Sequence, residues 1–220
     1  MDITNVATNV AQSNFKQISS DPTQTLQGFK LTDLQQYKRE KIFATNASTD
    51  FHLFFVGRDD VHNVLKHVIS RVTQSLYLNM FGFDDEELND IIWDKIKDPN
   101  ITVVITLDKS QSGGVHEAKI LDADKRDNLA AFNTHFVIGT SATSQISHTK
   151  GFAADGLVGG EGSTNWSDSG EGTGIFEVGK KGFKAQNNTQ TIFTDQDTIT
   201  RFTAELIAEH LAAIKTKSTN

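Results

Sequence analysis

The spacing of hydrophobic residues changes several times between residues 51 and 215, and these changes predict alternating strands and helices. Short apolar runs indicate buried strands, whereas apolar residues three and four positions apart indicate helices. Strands are predicted at 51–57, 75–83, 100–108 and 135–141. Helices are predicted at 58–74 and 84–98, after a loop within 113–133, and at 195–215. Strands that alternate with helices of this length predict a layered α/β fold with a largely parallel sheet.

Two of these segments allow a more detailed prediction. The run at 100–108 is β-branched and almost continuously apolar, which favours a strand near the centre of the sheet. The segment 195–215 has the spacing of an amphipathic helix. Its predicted apolar face consists of Ile199, Phe202, Leu206, Ile207, Ala213 and Ile214.

The first 50 residues differ from the rest of the chain. They are rich in Asn, Gln, Ser and Thr, and only Phe29, Leu31, Leu34 and Tyr37 have a helical spacing. We therefore interpret 1–50 as a polar extension with one or two helices that packs on the body of the protein or on a partner subunit. Residues 51–220 are then the principal domain.

Composition narrows the possible functions. The 220 residues include no cysteine, which excludes disulfides, cysteine catalysis and cysteine-zinc sites. No secretory signal and no apolar run of about 18–20 residues is present, so the sequence predicts a cytoplasmic protein without stable membrane association. The net charge of -7 argues against tight nucleic-acid binding by the whole surface, but it allows a local basic cleft.

The strongest candidate for chemistry lies in residues 148–165, where His148, Lys150, Asp155, Ser163 and Asn165 follow a regular spacing. The segment predicts two strands joined by a turn at Asp155-Gly156. Residues i and i+2 of a strand face the same side, so His148 and Lys150 are expected to project together. The returning strand can bring Ser163 and Asn165 toward them.

The side chains in this stretch suit phosphoryl transfer. Imidazole can act as a nucleophile or carry a proton near neutral pH. Lysine, serine and asparagine can hold phosphoryl oxygens and stabilise the charge that develops on them. No group of carboxylates in the neighbouring sequence has the pattern of a magnesium or calcium site. The sequence therefore predicts metal-independent phosphoryl transfer without a cofactor.

The stretch resembles the HKD signature of the phospholipase D superfamily, H-x-K-x4-D-x6-G-S-x-N, at every defining position. The resemblance covers roughly residues 51–215 and implies a layered α/β/α sandwich with a mixed, largely parallel central sheet. It implies that His148 attacks phosphorus and that Lys150 and Asn165 bind phosphoryl oxygens. Ser163 assists them or orders the hairpin. Asp155 belongs to the motif, but its Asp-Gly pair favours a structural role in the turn.

The chain contains one such motif, because no other histidine is followed two residues later by lysine. The superfamily mechanism uses two histidines, a nucleophile and an acid/base. A single-motif chain can supply both through two-fold association, in which His148 of each subunit meets at the axis. We therefore expect a homodimer with one composite active site.

Two features depart from or extend the family pattern. Family members commonly carry a glutamate on the next strand to orient the histidine, whereas 185–193 contains no carboxylate, and Glu171 or Glu177 would have to substitute. The glycine-rich segment 169–186 resembles an insertion and carries Lys180, Lys181 and Lys184. These lysines belong either to a solvated loop or to a flap that contacts substrate phosphates, with Lys180 and Lys181 as candidate substrate-binding residues.

The resemblance to small dimeric bacterial members favours a nuclease that hydrolyses DNA or RNA through a phosphohistidine. The first alternative is a phospholipase or phosphatidyltransferase with the same chemistry. The second is a non-catalytic module that keeps the fold and binds protein or nucleic acid. The short chain, the single motif and the lack of a cationic amphipathic segment favour the nuclease over the lipid enzyme.

Overall fold

The computed structural model describes residues 25–108, 136–139, 148–173 and 185–217. The strands are β1 (Phe51–Phe55), β2 (Ser75–Met80), β3 (Thr102–Asp108), β4 (Phe136–Gly139), β5 (Lys150–Ala154), β6 (Val158–Gly162) and β7 (Thr189–Phe193). The helices are α1 (Val61–Ile69), α2 (Glu86–Lys97), the single turn α3 (Asp168–Glu171) and α4 (Gln196–Lys217). A 3-10 helix spans Leu31–Tyr37. The predicted helix within 113–133 lies outside the described residues.

The seven strands form one mixed sheet in the order β1-β7-β6-β5-β2-β3-β4. Only the β2–β3 and β3–β4 pairings of the described strands are parallel, and the other four are antiparallel. The prediction of a largely parallel sheet was therefore wrong. A short turn reverses the chain between β5 and β6, so these strands run antiparallel, and β7 returns antiparallel to β6 after a longer connection that includes α3.

Strand β3 is internal to the sheet but not central. It pairs with β2 on one side and with β4 on the other, and β4 is the edge strand. The central strand is β5, whose five residues are all buried. The apolar run of β3 indicates that the strand is buried. Internal strands beside the central one are buried as well, so the run does not identify the central strand.

Local signals explain where the first two helices begin and end. The side chain of Asp60 accepts a hydrogen bond from the backbone N–H of Asn63 and caps α1. Asp85 caps α2 in the same way through the N–H of Leu88, at 2.6 Å. Both aspartates satisfy N–H groups that a helix start leaves without intrahelical partners. Pro99 follows α2 and disfavours its continuation.

Helices pack on both faces of the sheet. Alternate residues of β2 point to opposite faces, so Leu78 joins the core that includes Leu65 of α1 and Ile92 of α2, whereas Asn79 donates a hydrogen bond to Glu209 of α4. The candidate catalytic residues lie at one end of the strands, where β2 ends and β5 begins.

The buried stripe of α4 differs in part from the predicted apolar face. Ile199, Leu206 and Ala213 are buried as expected, but Ile214 is 40% exposed. His210 is buried instead, and its Nδ1 lies 3.0 Å from Oγ1 of Thr106 in β3. No helix in the described ranges has the length and apolar character needed to cross a membrane.

The described part of the predicted extension, residues 25–50, packs against the body of the protein. Leu31 and Leu34 of the 3-10 helix are buried in the same core as the sheet. Lys38 forms a 3.0 Å ion pair with Asp59, which is itself 1% exposed. The Asp59 carboxylate also accepts from the backbone N–H of Phe55 and so joins this segment to β1.

Candidate active site

The candidate site lies at one end of the sheet, where neighbouring strands bring five chain segments together. Strands β2 and β3 end there at Met80 and Asp108, and β5 begins there because Lys150 pairs with Met80. Strand β6 ends at the same side with Gly162, beside the start of β7 at Thr189. Ligand sites of open α/β sheets occur outside the carboxyl ends of strands, where loops supply polar groups.

His148 and Lys150 converge on one aromatic ring, as their i, i+2 spacing predicts. The imidazole of His148 is exposed and its centroid lies 4.6 Å from that of Phe81. The ammonium of Lys150 lies 4.9 Å from the same ring centroid, within the range of a cation-π contact. Phe81 immediately follows β2, so this strand positions both candidate catalytic side chains.

Lys150 is buried, with 3% of its surface exposed. Its Nζ donates a 2.7 Å hydrogen bond to the carbonyl oxygen of His148 and so restrains the backbone of the candidate nucleophile. Burial lowers the pKa of Lys150, and the carboxylate of Asp108 at the end of β3 opposes this shift. An ammonium carries three N–H donors, so Lys150 can hold His148 and bind a phosphoryl oxygen at once.

Asn165 approaches the same place from the end of the hairpin. Its side chain packs against Gly82, the residue after Phe81, where a Cβ atom would lie only 3.1 Å from its Cγ. Its Oδ1 is buried and has no hydrogen-bond partner among the described residues, while the amide nitrogen is a donor suited to a phosphoryl oxygen. The following residue, Trp166, is fully buried between Phe83 and Phe152 and anchors this end of the motif.

Ser163 connects the hairpin to the next strand. Its Oγ donates to Oδ1 of Asn188 at 3.2 Å and accepts from the backbone N–H of Thr189 at 3.0 Å. Asn188 belongs to the segment in which the family pattern has a glutamate, so the group that contacts the motif from this side is an amide. Its Nδ2 donates to the carbonyl oxygen of Gly170, which joins the same segment to α3.

Asp155 lies at the opposite end of β5 from Lys150. Its carboxylate accepts hydrogen bonds from the backbone N–H groups of Thr73, Gln74 and Ser75, at 2.8–3.3 Å. These contacts join the hairpin turn to the loop before β2 and to the first residue of β2. The geometry is that of a structural turn residue, as its Asp-Gly sequence indicates.

Several predicted residues fall outside the described ranges. They are Lys180, Lys181, Lys184 and Glu177. Glu171 is described, but it contacts His62 in the interior and not the exposed imidazole of His148. Its proposed role as a substitute for the missing glutamate therefore gains no support from its contacts.

The structure also assembles a buried group that sequence analysis did not find. His62 of α1 lies with its Nδ1 2.7 Å from Oε2 of Glu171 and 3.2 Å from Oδ2 of Asp85, and its Nε2 lies 2.8 Å from Oε2 of Glu87. Of these, His62, Asp85 and Glu171 form a buried cluster of metal-ligating types within the described part of the chain. Asp85 and Glu171 are 86 positions apart in sequence, which explains why no local spacing revealed them.

Electrostatic interactions in this cluster are strong. Burial alone would lower the pKa of His62, but hydrogen bonds to Asp85, Glu171 and Glu87 raise it to about 11. Burial raises the pKa of Glu171 to about 8, against the opposing effect of its hydrogen bond to His62. The hydrogen bond from Lys66 is the largest cause of the lowered pKa of Glu87.

Comparison with solved structures identifies the fold. The chain matches NucT from Helicobacter pylori with a TM-score of 0.55 and 18% sequence identity, over 74% of this chain and 96% of that one. It matches a phospholipase D family member, Nuc from Salmonella typhimurium, with a TM-score of 0.51 and 14% identity over the same shares. The fold is that of the phospholipase D superfamily.

The structural match thus covers nearly the whole length of both solved structures and about three quarters of this chain. No protein-family model matches the sequence, and comparison with curated proteins finds no similar sequence. The similarity to the phospholipase D superfamily that the spacing of residues 148–165 indicates is therefore detected by comparing three-dimensional structures.

Proposed function

We propose that the protein is a metal-independent phosphodiesterase of the phospholipase D type, with the corresponding α/β/α sandwich, and that its substrate is nucleic acid. The convergence of His148 and Lys150 on Phe81, with Asn165 against Gly82 next to it, carries the proposal. A nucleophile, a cation and an amide then meet at one end of the sheet. These are the groups needed to attack phosphorus and to stabilise the charge on its oxygens.

In the proposed first step, an imidazole nitrogen of His148 attacks phosphorus and the bond from phosphorus to the leaving oxygen breaks. The leaving oxygen takes a proton from the second imidazole, His148 of the partner subunit. In the second step that imidazole removes a proton from water, and the resulting hydroxide attacks the phosphohistidine. The P–N bond breaks, the phosphate ester leaves and both imidazoles return to their starting states.

The residues around His148 suit this sequence of steps. Its ring is exposed, so a phosphodiester and a second subunit can both reach it. Lys150 holds the backbone of His148 and presents its ammonium toward the same ring of Phe81. Ser163 acts mainly by ordering the motif against Asn188 and Thr189, because both of its hydrogen bonds go to that segment.

A nucleic-acid substrate is preferred to a lipid. The similarity to Nuc and NucT includes 96% of each of those chains, so the whole of a small phospholipase D fold is present. The net charge of -7 requires that phosphate binding come from local cations such as Lys150. Lys180 and Lys181, which lie outside the described residues, are proposed to assist.

One observation favours a second candidate, a non-catalytic module that binds phosphate groups. The side chain that contacts the motif from the segment before β7 is the amide of Asn188, and Glu171 is engaged with His62. A histidine oriented by an amide is a weaker base than one oriented by a carboxylate. Such a module would keep Lys150 and Asn165 for binding and would not form a phosphohistidine.

Plasmid cleavage tests the proposal. Purified protein should convert supercoiled plasmid to nicked and linear forms with EDTA present, and His148→Ala should remove the activity. Thr149→Ala is the matched control, because Thr149 lies between the two candidate residues but lines a groove with Phe202 on the other side of β5. Circular dichroism of each sample verifies that the folded protein is being assayed.

Three other outcomes would contradict the nuclease proposal. Headgroup release from phospholipid vesicles without plasmid cleavage would indicate the lipid enzyme. Binding of DNA without cleavage, and without acid-labile phosphate on His148, would indicate the non-catalytic module. Cleavage that survives His148→Ala would show that another group performs the chemistry.

A further inference from the structure

The buried cluster around His62 is not used by the proposed mechanism. His62 comes from α1, Asp85 caps α2, and Glu171 belongs to the helical turn α3 that follows the motif. The three residues are 6%, 2% and 2% exposed, respectively. Their ligand atoms all lie within 4.8 Å of one another.

The two nitrogens of His62 have different surroundings. Nδ1 faces two carboxylate oxygens at once, 3.2 Å from Asp85 and 2.7 Å from Glu171, whereas a single N–H can point well at only one. Nε2 lies 2.8 Å from Glu87, which is paired in turn with Lys66. A metal-ligating histidine characteristically donates its other ring N–H to a carboxylate, which fixes its tautomer and its orientation.

Glu171 supplies an independent sign of a ligand. Its Oε1 is buried and has no hydrogen-bond partner among the described residues, although its Oε2 contacts His62. An unpaired carboxylate oxygen in the interior is costly unless a cation or a donor compensates it. Both oxygens of one carboxylate can bind the same cation.

The distances and charges suit a small divalent cation. Ligands that each lie about 2.0–2.2 Å from a zinc ion are separated by roughly 3–3.5 Å. The separations of 2.7 Å and 3.2 Å from Nδ1 of His62 therefore require only small adjustments. The carboxyl groups of Asp85, Glu87 and Glu171 lie near one imidazole, and the ammonium of Lys66 contacts Glu87. One nitrogen with carboxylate oxygens is a donor set typical of zinc or manganese and not of a soft metal.

We propose that His62 Nδ1, Asp85 and Glu171 bind one divalent transition-metal ion, Zn²⁺ or Mn²⁺, with Glu87 orienting the imidazole. This inference goes beyond the proposed phosphodiesterase activity and does not depend on it. The ion has a structural role, because it joins α1, the start of α2 and the turn α3. The backbone N–H of Asp85 also donates to the carbonyl oxygen of Trp166, so the site supports the segment that presents Asn165.

Metal titration of the untagged full chain tests the proposal. The protein is treated with a chelator, transferred to metal-free buffer and titrated calorimetrically with ZnCl2 or MnCl2. We expect one ion per chain and a melting temperature that rises with metal concentration, since a ligand bound only by the folded state stabilises it. Asp85→Asn and Glu171→Gln should each weaken binding at least tenfold, and Asn at the cap retains capping ability.

The control variant is Glu86→Gln, which removes an adjacent carboxylate that is exposed and outside the cluster. It should bind the metal as wild type does, and Glu87→Gln should weaken binding roughly tenfold or more through the imidazole. The proposal fails if the wild-type chain binds neither metal at one ion per chain. It also fails if Asp85→Asn and Glu171→Gln bind as tightly as Glu86→Gln, because the cluster is then a buried ion pair. Neither failure affects the plasmid assay, which reports on His148.

Discussion

Single residues at the proposed active site perform more than one structural task. Lys150 holds the carbonyl oxygen of His148, contacts the ring of Phe81 and supplies the positive charge at the site. Burying an ammonium is unfavourable unless hydrogen bonds and nearby negative charge compensate it, and Asp108 provides part of that compensation. The hydroxyl of Ser163 has a single structural task. Its two hydrogen bonds go to Asn188, just before β7, and to Thr189, the first residue of β7.

Replacing Ser163 by alanine should therefore affect stability more than chemistry. The substitution removes the hydrogen bonds to Asn188 and Thr189 and should lower the free energy of unfolding by about 1–2 kcal/mol. The rate per folded molecule should fall much less than in Lys150→Met. Urea unfolding and plasmid cleavage measure the two effects. A rate loss as large as that of Lys150→Met, with unchanged stability, would show that Ser163 binds the substrate directly.

His67 should make stability depend on pH. Burial lowers its pKa to about 4, with Arg71 adding to the effect, whereas an unfolded chain titrates near 6.5. As pH falls from 6.5 to about 4, the unfolded state takes up the proton first, so stability is lost in this window. The free energy of unfolding of wild type should fall by about 2–3 kcal/mol more than that of His67→Gln. Parallel losses in the two proteins, measured by urea unfolding, would contradict this.

At the scale of elements, the hairpin β5–β6 is held at both ends by different means. Phe152 and Trp166 pack the end that carries the candidate catalytic residues. At the other end, Asp155 and Gly156 have φ values of 53° and 67°, as the central residues of a type I′ turn require. The hairpin is thus fixed by packing near the site and by hydrogen bonding away from it.

Asp155→Ala should test the structural role of this turn. The change removes the acceptor for the N–H groups of Thr73, Gln74 and Ser75 and places alanine at a positive φ. We expect the free energy of unfolding to fall by about 2–4 kcal/mol. Asp155→Asn should cost less because asparagine tolerates a left-handed conformation. If the folded variant loses cleavage activity while its stability is unchanged, Asp155 has a direct role in catalysis.

At the scale of the whole molecule, the central proposal is a composite active site between two chains. It rests on the single motif of the chain and on the exposed imidazole of His148. The described chain brings one His148 to the end of one sheet. A mechanism that needs a nucleophile and a separate acid then requires a second copy. A two-fold axis near His148 would supply the same residue again from the partner subunit.

Mixed dimers test the shared site. Wild-type and His148→Ala chains with different tags can be coexpressed and the heterodimer isolated by two affinity steps. A shared site needs two imidazoles, so the heterodimer should be nearly inactive. Mixed dimers of wild-type and Thr149→Ala chains are the control and should remain active. About half of the wild-type rate in the His148 heterodimer would mean that each subunit works alone.

Local sequence predicted the elements well, because each depends on residues close together in the chain. The strands at 51–57, 75–83 and 100–108 and the helices at 58–74, 84–98 and 195–215 are confirmed with shorter or shifted ends. The hairpin after His148 is confirmed, and so is its turn at Asp155-Gly156. Ile214 was placed on the wrong face: the buried stripe of α4 includes His210 and Ala213, and Ile214 points about 100° around the helix from Ala213.

The amino-acid sequence by itself determined the alternation of elements, the spacing of the motif and the resemblance to the phospholipase D superfamily. Only the tertiary structure decided the strand order, the predominance of antiparallel pairings and the contact of Asn165 with Gly82. It also brought His62 to Glu171 across 109 positions of the chain. Periodicity and motif spacing report interactions between neighbours in sequence. The packing of distant segments depends on which buried surfaces fit together, and no local pattern records that fit.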